Sequence, residues 1–249
     1  MRLLAALVFF TRLPFWRIAD IPKEYFKRLV EYWSLTGVLT GGIMALVLFL
    51  TSLIMPIEIA IIFAISSRLI ITGALHEDGL ADFCDGFGGG TDRERTLAIM
   101  KDSHIGTYGV IGLIIYFLLL FNLMYTLSVP LLCFVIISAD VWSKACAANI
   151  INILPYARNE ETAKAKVVYD RMTLKAFIIS TVIGIIPPLF LLDKIYWFAL
   201  LAPVFMLFAL GHIMHKKIAG YTGDCCGATF LLCELSFYIV VVFLNYNLC

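Results

Sequence analysis

Apolar runs of membrane-crossing length constrain this chain more than any other feature. A bilayer-spanning helix needs about 20 mostly apolar residues. Such runs lie near 34–56, 57–75, 105–127, 129–154, 176–192, 195–211 and 228–248. Tight turns are marked by Pro56 with Glu58, by Ser128-Val129-Pro130 and by Asp193-Lys194, whereas 1–33, 76–104, 155–175 and 212–227 are long polar connections. Of the 249 residues, 61% are apolar and 15% charged, against about 45–50% and 25% in soluble domains. A water-soluble fold could not hide that apolar surface. Disorder is excluded as well, because a solvated coil does not carry 14% aromatic residues. The expected fold is all-α: a polytopic integral membrane protein of about seven transmembrane helices, forming one membrane-embedded domain over 1–249 with no internal repeat.

The positive-inside rule tests this scheme, since Lys and Arg beside the spans set orientation. Sixteen of the 19 Lys and Arg fall in the long connections on one side, Lys194 stands alone on the other, and Arg68 and Lys144 lie within spans. An odd number of spans with a cytoplasmic N-terminus and an outside C-terminus follows. The net charge of +1 gives no reason to expect a nucleic-acid partner. Seven cysteines with no CxxC pair suggest neither a disulfide framework nor a zinc site. The start, MRLLAALVFFTRLPFW, is too short and too broken by Arg12 for a signal peptide and is expected to be a retained amphipathic or re-entrant segment.

Four carboxylates stand within H-E-D-G-L-A-D-F-C-D (76–85). Asp78, Asp82 and Asp85 follow the i, i+4, i+7 spacing that lines one helix face. Like charges so close repel, and a hard cation such as Mg²⁺, bound by carboxylates together with substrate phosphates, relieves the repulsion. The competing reading is a solvated acidic loop mouth; the spacing and the membrane-edge location favour metal. Gly86-Phe87-Gly88-Gly89-Gly90 follows, a run that lets backbone N–H groups approach a phosphate. Then come Arg93, Arg95, Lys101, Asp102, Ser103 and His104 before Gly106-Thr107-Tyr108-Gly109. For Arg93 a membrane-anchor role is preferred; for Lys101 to Ser103, anchoring and diphosphate neutralisation stay equally open.

A second polar cluster, Gly-Tyr-Thr-Gly-Asp (220–224), enters the last span, where Asp224 is either an N-cap or part of the site. Glu234 lies deep in an apolar run, and an ionisable group there is a functional candidate by default. Asp140 and Lys144, at i, i+4, are expected to neutralise each other, and Arg68 to pair with Asp140 or Glu234. These residues describe a metal-dependent site for a phosphorylated substrate on helix ends facing the cytoplasm, with phosphoryl-type transfer as its natural chemistry.

The chain resembles the cobalamin synthase family, the adenosylcobinamide-GDP ribazoletransferases, nearly end to end. The resemblance rests on F-F-T-R-L-P (9–14), G-A-L-H-E-D-G-L-A-D-F-C-D-G (73–86), R-T-L-A-I-M-K-D-S-H-I-G-T-Y-G (95–109), Y-A-R (156–158) and G-Y-T-G-D-C-C-G-A (220–228). It implies a prokaryotic cytoplasmic-membrane enzyme that joins adenosylcobinamide-GDP to α-ribazole, or its 5′-phosphate, by attack of a ribose hydroxyl with Mg²⁺ assistance and loss of GMP. Asp78, Asp82 and Asp85 are then the expected metal ligands. His76, Asp82, Lys101, Asp102 and Ser103 are the expected catalytic set, with Gly86, Gly88, Arg95, Thr107, Asp224 and Glu234 expected to bind substrate. The implied partners are these small molecules and membrane lipids, with a homo-oligomer left open. The chain departs from the family pattern at Cys225-Cys226, where Thr-Leu is usual, at Leu231, where a glutamate is usual, and at Lys144, where an arginine is usual.

Two rivals fit less well. A CDP-alcohol phosphotransferase would carry Ala-Arg where this chain has Ala81-Asp82, and a later GxxxDxxxD pair that is absent. A corrinoid transporter component would show internal repeats and broken helices at the midplane, whereas the polar residues here concentrate at one membrane face.

Overall fold

The computed structural model describes residues 1–158 and 168–248, so Lys164, Lys166 and Cys249 lie outside the described residues. Eleven α-helices follow in chain order among these residues: α1 (Arg2–Phe10), α2 (Trp33–Ser52), α3 (Ile57–Thr72), α4 (Leu75–Gly89), α5 (Arg93–Lys101), α6 (Thr107–Tyr125), α7 (Val129–Ala148), α8 (Ile150–Ile153), α9 (Leu174–Leu191), α10 (Leu201–Ile218) and α11 (Gly223–Leu248). Short 3₁₀ turns lead into α2 and α10. Six helical segments are long and apolar enough to cross a membrane, and α3 with α4 makes a seventh if that bent pair is one span. The expected all-α membrane fold is what the chain adopts. Its outward faces carry exposed apolar side chains such as Leu118, Phe190, Phe205 and Phe243, as lipid contact requires.

The second apolar run is shorter than the sequence suggests. It ends at Thr72, because Gly73 (φ 64°) and Ala74 (φ 54°) are both left-handed and turn the chain by 89° into α4. The acidic stretch is thus a helix of its own, not a loop. Glycine suits position 73 because its φ is one that L side chains resist, and a Cβ there, 2.3 Å from Arg12 Nε, would oblige the Arg12 side chain to move.

Small residues set the closest helix approach. A Cβ on Gly37 of α2 would lie 2.9 Å from the Cα of Val141, and one on Gly41 would lie 3.2 Å from the Cα of Ile137. This G-x-x-x-G pair lets α2 and α7 meet backbone to backbone, as membrane helices without a hydrophobic driving force require. Beside it, Lys144 pairs with Asp140 as expected, and Thr40 donates to Asp140 Oδ2 at 3.0 Å and accepts from Lys144 Nζ.

The connections sort to two ends of the bundle. At one, Arg93 donates to the carbonyls of Ile218 (2.9 Å) and Ala157 (2.8 Å), Arg158 to that of Leu97 (2.8 Å) and Lys217 to that of Gly90 (2.8 Å). At the other, Tyr125 donates to Glu58 and Tyr196 to Asn245. The basic connections therefore meet on one face. The N-terminal segment folds back onto that face: Arg2 pairs with Glu31, and Phe10 stacks on Trp33 with centroids 4.9 Å apart.

Candidate active site

α4 carries the acidic face. Asp78 is exposed, Asp82 half-buried and Asp85 buried, so the row runs from solvent into the protein. Asp85 is held firmly, its two oxygens accepting the backbone N–H groups of Gly106 (2.7 Å) and Gly109 (2.8 Å) at the start of α6. It thereby satisfies donors that every helix N-terminus leaves open. A carboxylate has about four lone-pair sites, so capacity remains on each oxygen. Among the described residues no three His, Cys, Asp or Glu side chains converge closely enough to hold a metal unaided. The all-oxygen row of α4 still suits Mg²⁺, which takes one or two carboxylates and completes its shell with water and phosphate.

α11 begins against α4 with almost no space between their backbones. A Cβ on Gly79 would lie 3.0 Å from the Asp224 carbonyl oxygen, and one on Gly227 would lie 3.2 Å from that of His76. Capping of α11 falls to Thr222, whose hydroxyl accepts from the Cys225 N–H at 3.3 Å, and Asp224 lines a cavity of about 150 Å³ together with Asp78 and His76. The N-terminal segment and the 156–158 turn close this cavity with Phe9, Phe10, Tyr156 and Arg158. Burial pushes the Tyr156 phenol up to about 12, so it is neutral and able to donate at physiological pH. A second cleft that Asp78 also lines includes Arg12 and Glu77.

A further cleft, of about 540 Å³, brings together Asp85, Arg95, Asp102 and Thr107. Lys101 and Ser103 are exposed on the same loop without lining it. The His104 imidazole and backbone N–H both bond to Asp102 (2.7 and 3.0 Å) and hold its carboxyl below the usual carboxylate range. The glycine run differs from the expected loop. α4 continues to Gly89, so the backbone N–H groups there serve the helix, and the glycines make room for neighbours. A Cβ on Gly86 would strike Met100 at 2.3 Å, and one on Gly88 would strike the Tyr108 ring at 2.6 Å.

Glu234 joins neither cleft. It is fully buried, ion-paired with Arg68 and accepting from the Tyr116 hydroxyl at 3.0 Å, while Arg68 also donates to Tyr116 at 2.8 Å and lies 3.8 Å from Glu77. Of the two partners expected for Arg68, Glu234 is the one it takes. Arg93 joins the end of α10 to the 156–158 turn through the Ile218 and Ala157 carbonyls. The residues that sequence reasoning passed over are Arg12, Tyr156 and Arg158, and the signal was present in the F-F-T-R-L-P and Y-A-R motifs that contain them.

The family profile described as cobalamin-5-phosphate synthase matches residues 2–242. The chain belongs to the cobalamin-5-phosphate synthase family. Its relatives in that family include proteins named adenosylcobinamide-GDP ribazoletransferase. The one from Vibrio parahaemolyticus is 36% identical, over 98% of this chain and 93% of its own length. Those from Shewanella woodyi (35%; 95% and 93%) and Shewanella amazonensis (37%; 97% and 94%) are similarly close. No solved structure matches. The motifs that carry the family resemblance thus meet on one face of the bundle, around α4 and the start of α11.

Proposed function

We propose that this chain joins adenosylcobinamide-GDP to α-ribazole, or to its 5′-phosphate, giving adenosylcobalamin or its 5′-phosphate and releasing GMP. The observation that carries this reading is the meeting of Asp78, Asp224 and Arg158, from three separate motifs, at one aromatic cavity, in a chain matched by the family profile over nearly its whole length. The reaction forms a bond from a ribose oxygen of the acceptor to the phosphorus bearing the cobinamide. The bond from that phosphorus to the GMP oxygen breaks, and the hydroxyl proton passes to a carboxylate of α4.

Asp78 and Asp82, one helical turn apart, are the pair that would hold Mg²⁺, whose charge when bound stabilises the diphosphate and the leaving GMP. Asp82, half-buried one helical turn from Asp78, would take the hydroxyl proton. Asp85 fixes α6 against α4 and so keeps the Asp102 loop beside the acidic row. Arg158 and Arg12, at the cavity and the adjoining cleft, neutralise phosphate charge, and the neutral Tyr156 phenol donates a hydrogen bond to it. Arg95 and Thr107 hold the more distant part of the donor. The basic face is cytoplasmic, where nucleotide substrates are available, and residues 1–33 cover the site from that side.

The test is turnover by purified protein in detergent or liposomes, with adenosylcobinamide-GDP, α-ribazole and Mg²⁺, following GMP and corrinoid product together. Equal, EDTA-sensitive formation of both products is expected. Folded protein that forms neither would refute the reading.

A further inference from the structure

We propose that a groove floored by α7 and walled by α9 and α10 binds one anionic phospholipid, its phosphate held by Arg171 and an acyl chain lying over Trp142. The groove has a volume of about 640 Å³ and shares no lining residue with the cavity beside α4. α9 and α10 both pack on α7 and hardly on each other, so the gap between them opens sideways to lipid. Leu174, Phe177 and Phe208 line it and are exposed.

The groove is one leaflet deep. Trp142, Ala145, Cys146, Asn149 and Ile153 line its floor, and their spacing places them on one helical stripe. α7 and α8 form a single span, and from Trp142 to Ile153 that stripe runs about 16 Å. Half of a hydrocarbon core of about 30 Å is much the same length. At the deep end the Trp142 indole is pinned, donating to the Leu200 carbonyl at 2.9 Å.

The end at the basic face is polar. There Asn152 accepts the Met172 N–H and donates to Asn149 Oδ1, both at 3.0 Å, which ties the Arg171 segment to the foot of α7. Each of the two amides has a second N–H to offer a phosphate or ester oxygen. Arg171 is exposed and makes no ion pair among the described residues, and its neighbour Asp170 is taken by Arg28 at 3.3 Å. Basic pockets between membrane helices suit anionic headgroups. No acidic side chain among the described residues lines the groove, so an ammonium-bearing headgroup finds no partner, and a phosphatidylglycerol-type lipid is the better fit.

Trp142 reports occupancy directly, because bromine on an acyl chain quenches an indole it touches. The probes are phosphatidylglycerol and phosphatidylcholine with brominated chains, each at a few mole per cent in nanodiscs of unlabelled phosphatidylcholine holding the full chain. Subtracting the emission of Trp142→Phe isolates the Trp142 signal. Brominated phosphatidylglycerol is expected to quench it several-fold more than brominated phosphatidylcholine, and Arg171→Gln should abolish the difference. Native mass spectrometry of wild-type protein in detergent, which needs no tryptophan variant, should show one phosphatidylglycerol retained per chain in preference to phosphatidylcholine, and Arg171→Gln should lose it. Equal quenching or retention of the two lipids by wild-type protein would overturn the proposal. So would a preference that survives Arg171→Gln, or an unquenched Trp142 covered by a second copy of the chain.

Discussion

The Asp85 carboxylate accepts the backbone N–H of Gly109 at 2.8 Å, tying the acidic helix to the first turn of the next membrane span. The contact tolerates no side chain at Gly109, where a Cβ would stand 2.5 Å from Asp85 Oδ2 and 3.0 Å from the Ala81 carbonyl oxygen. Asp85→Ala and Gly109→Ala should therefore each destabilise the protein by about 1–3 kcal/mol. The double variant should be no worse than the poorer single one, because both remove the same contact. Thermal unfolding in detergent reads this out, and additive losses would mean that the two residues act separately.

Asp78 is exposed and Asp82 half-buried on α4, whereas Asp85 is buried against the start of α6. Asp78→Asn and Asp82→Asn are expected to lower turnover by roughly 10²–10³-fold, the scale on which single charge-stabilising groups act, while leaving the unfolding temperature near that of the wild type. An increased Mg²⁺ requirement in whatever activity remains would accompany the loss. Near-normal turnover of Asp82→Asn would remove it from the metal site.

Glu234 distinguishes a support role from a chemical one. It lies ten residues along α11 from Asp224, about 15 Å of helix, and pairs with Arg68. Glu234→Leu leaves the Arg68 charge short of its main partner, and the expected cost is about 3–5 kcal/mol. Glu234→Gln, which retains hydrogen bonding, should cost less and keep most of the turnover. Folded Glu234→Gln protein as inactive as Asp82→Asn would place Glu234 in the reaction.

Gly79 sets the distance between the two acidic motifs. Because its neighbour is the Asp224 backbone, no rotamer change can make room for a methyl group. Gly79→Ala should separate α4 from α11 and reduce kcat by about 10²-fold, the scale reported for misplacements near 1 Å, and Gly227→Ala should resemble it. Unchanged kcat in a folded Gly79→Ala variant would mean that this spacing does not matter to the reaction.

Orientation can be read with a membrane-impermeant thiol reagent. Lys194→Cys, at the turn before α10, should label in intact cells, and Lys101→Cys only after lysis, each against the background of the unsubstituted chain. The reverse pattern would invert the assignment of the basic face.

Much of the molecule was legible before folding. Six spans, and a seventh if the bent α3–α4 pair counts as one, followed from run lengths, because a bilayer demands about 20 apolar residues whatever the neighbours are. The Asp140–Lys144 pair followed from i, i+4 spacing, and the common face of Asp78, Asp82 and Asp85 from helical period. The glycine run misled, because composition cannot tell a phosphate-cradling loop from a helix end that needs room for Met100 and Tyr108. The surroundings of Glu234 were not legible for a related reason: an intramembrane carboxylate signals importance, but its distance from Asp224 is set by where α11 begins.

Sequence alone thus determined the all-α membrane class, the gathering of basic connections on one face and the acidic face of α4, since each rests on local periodicity or on transfer from water to lipid. Only the tertiary structure decided which motifs share a cavity. The left-handed pair Gly73-Ala74 turns α4 out of line with α3, Gly79 and Gly227 bring α11 onto it, and the N-terminal segment folds Phe10 against Trp33. Those contacts join residues remote in sequence, and their geometry comes from backbone approach and packing that no local pattern encodes.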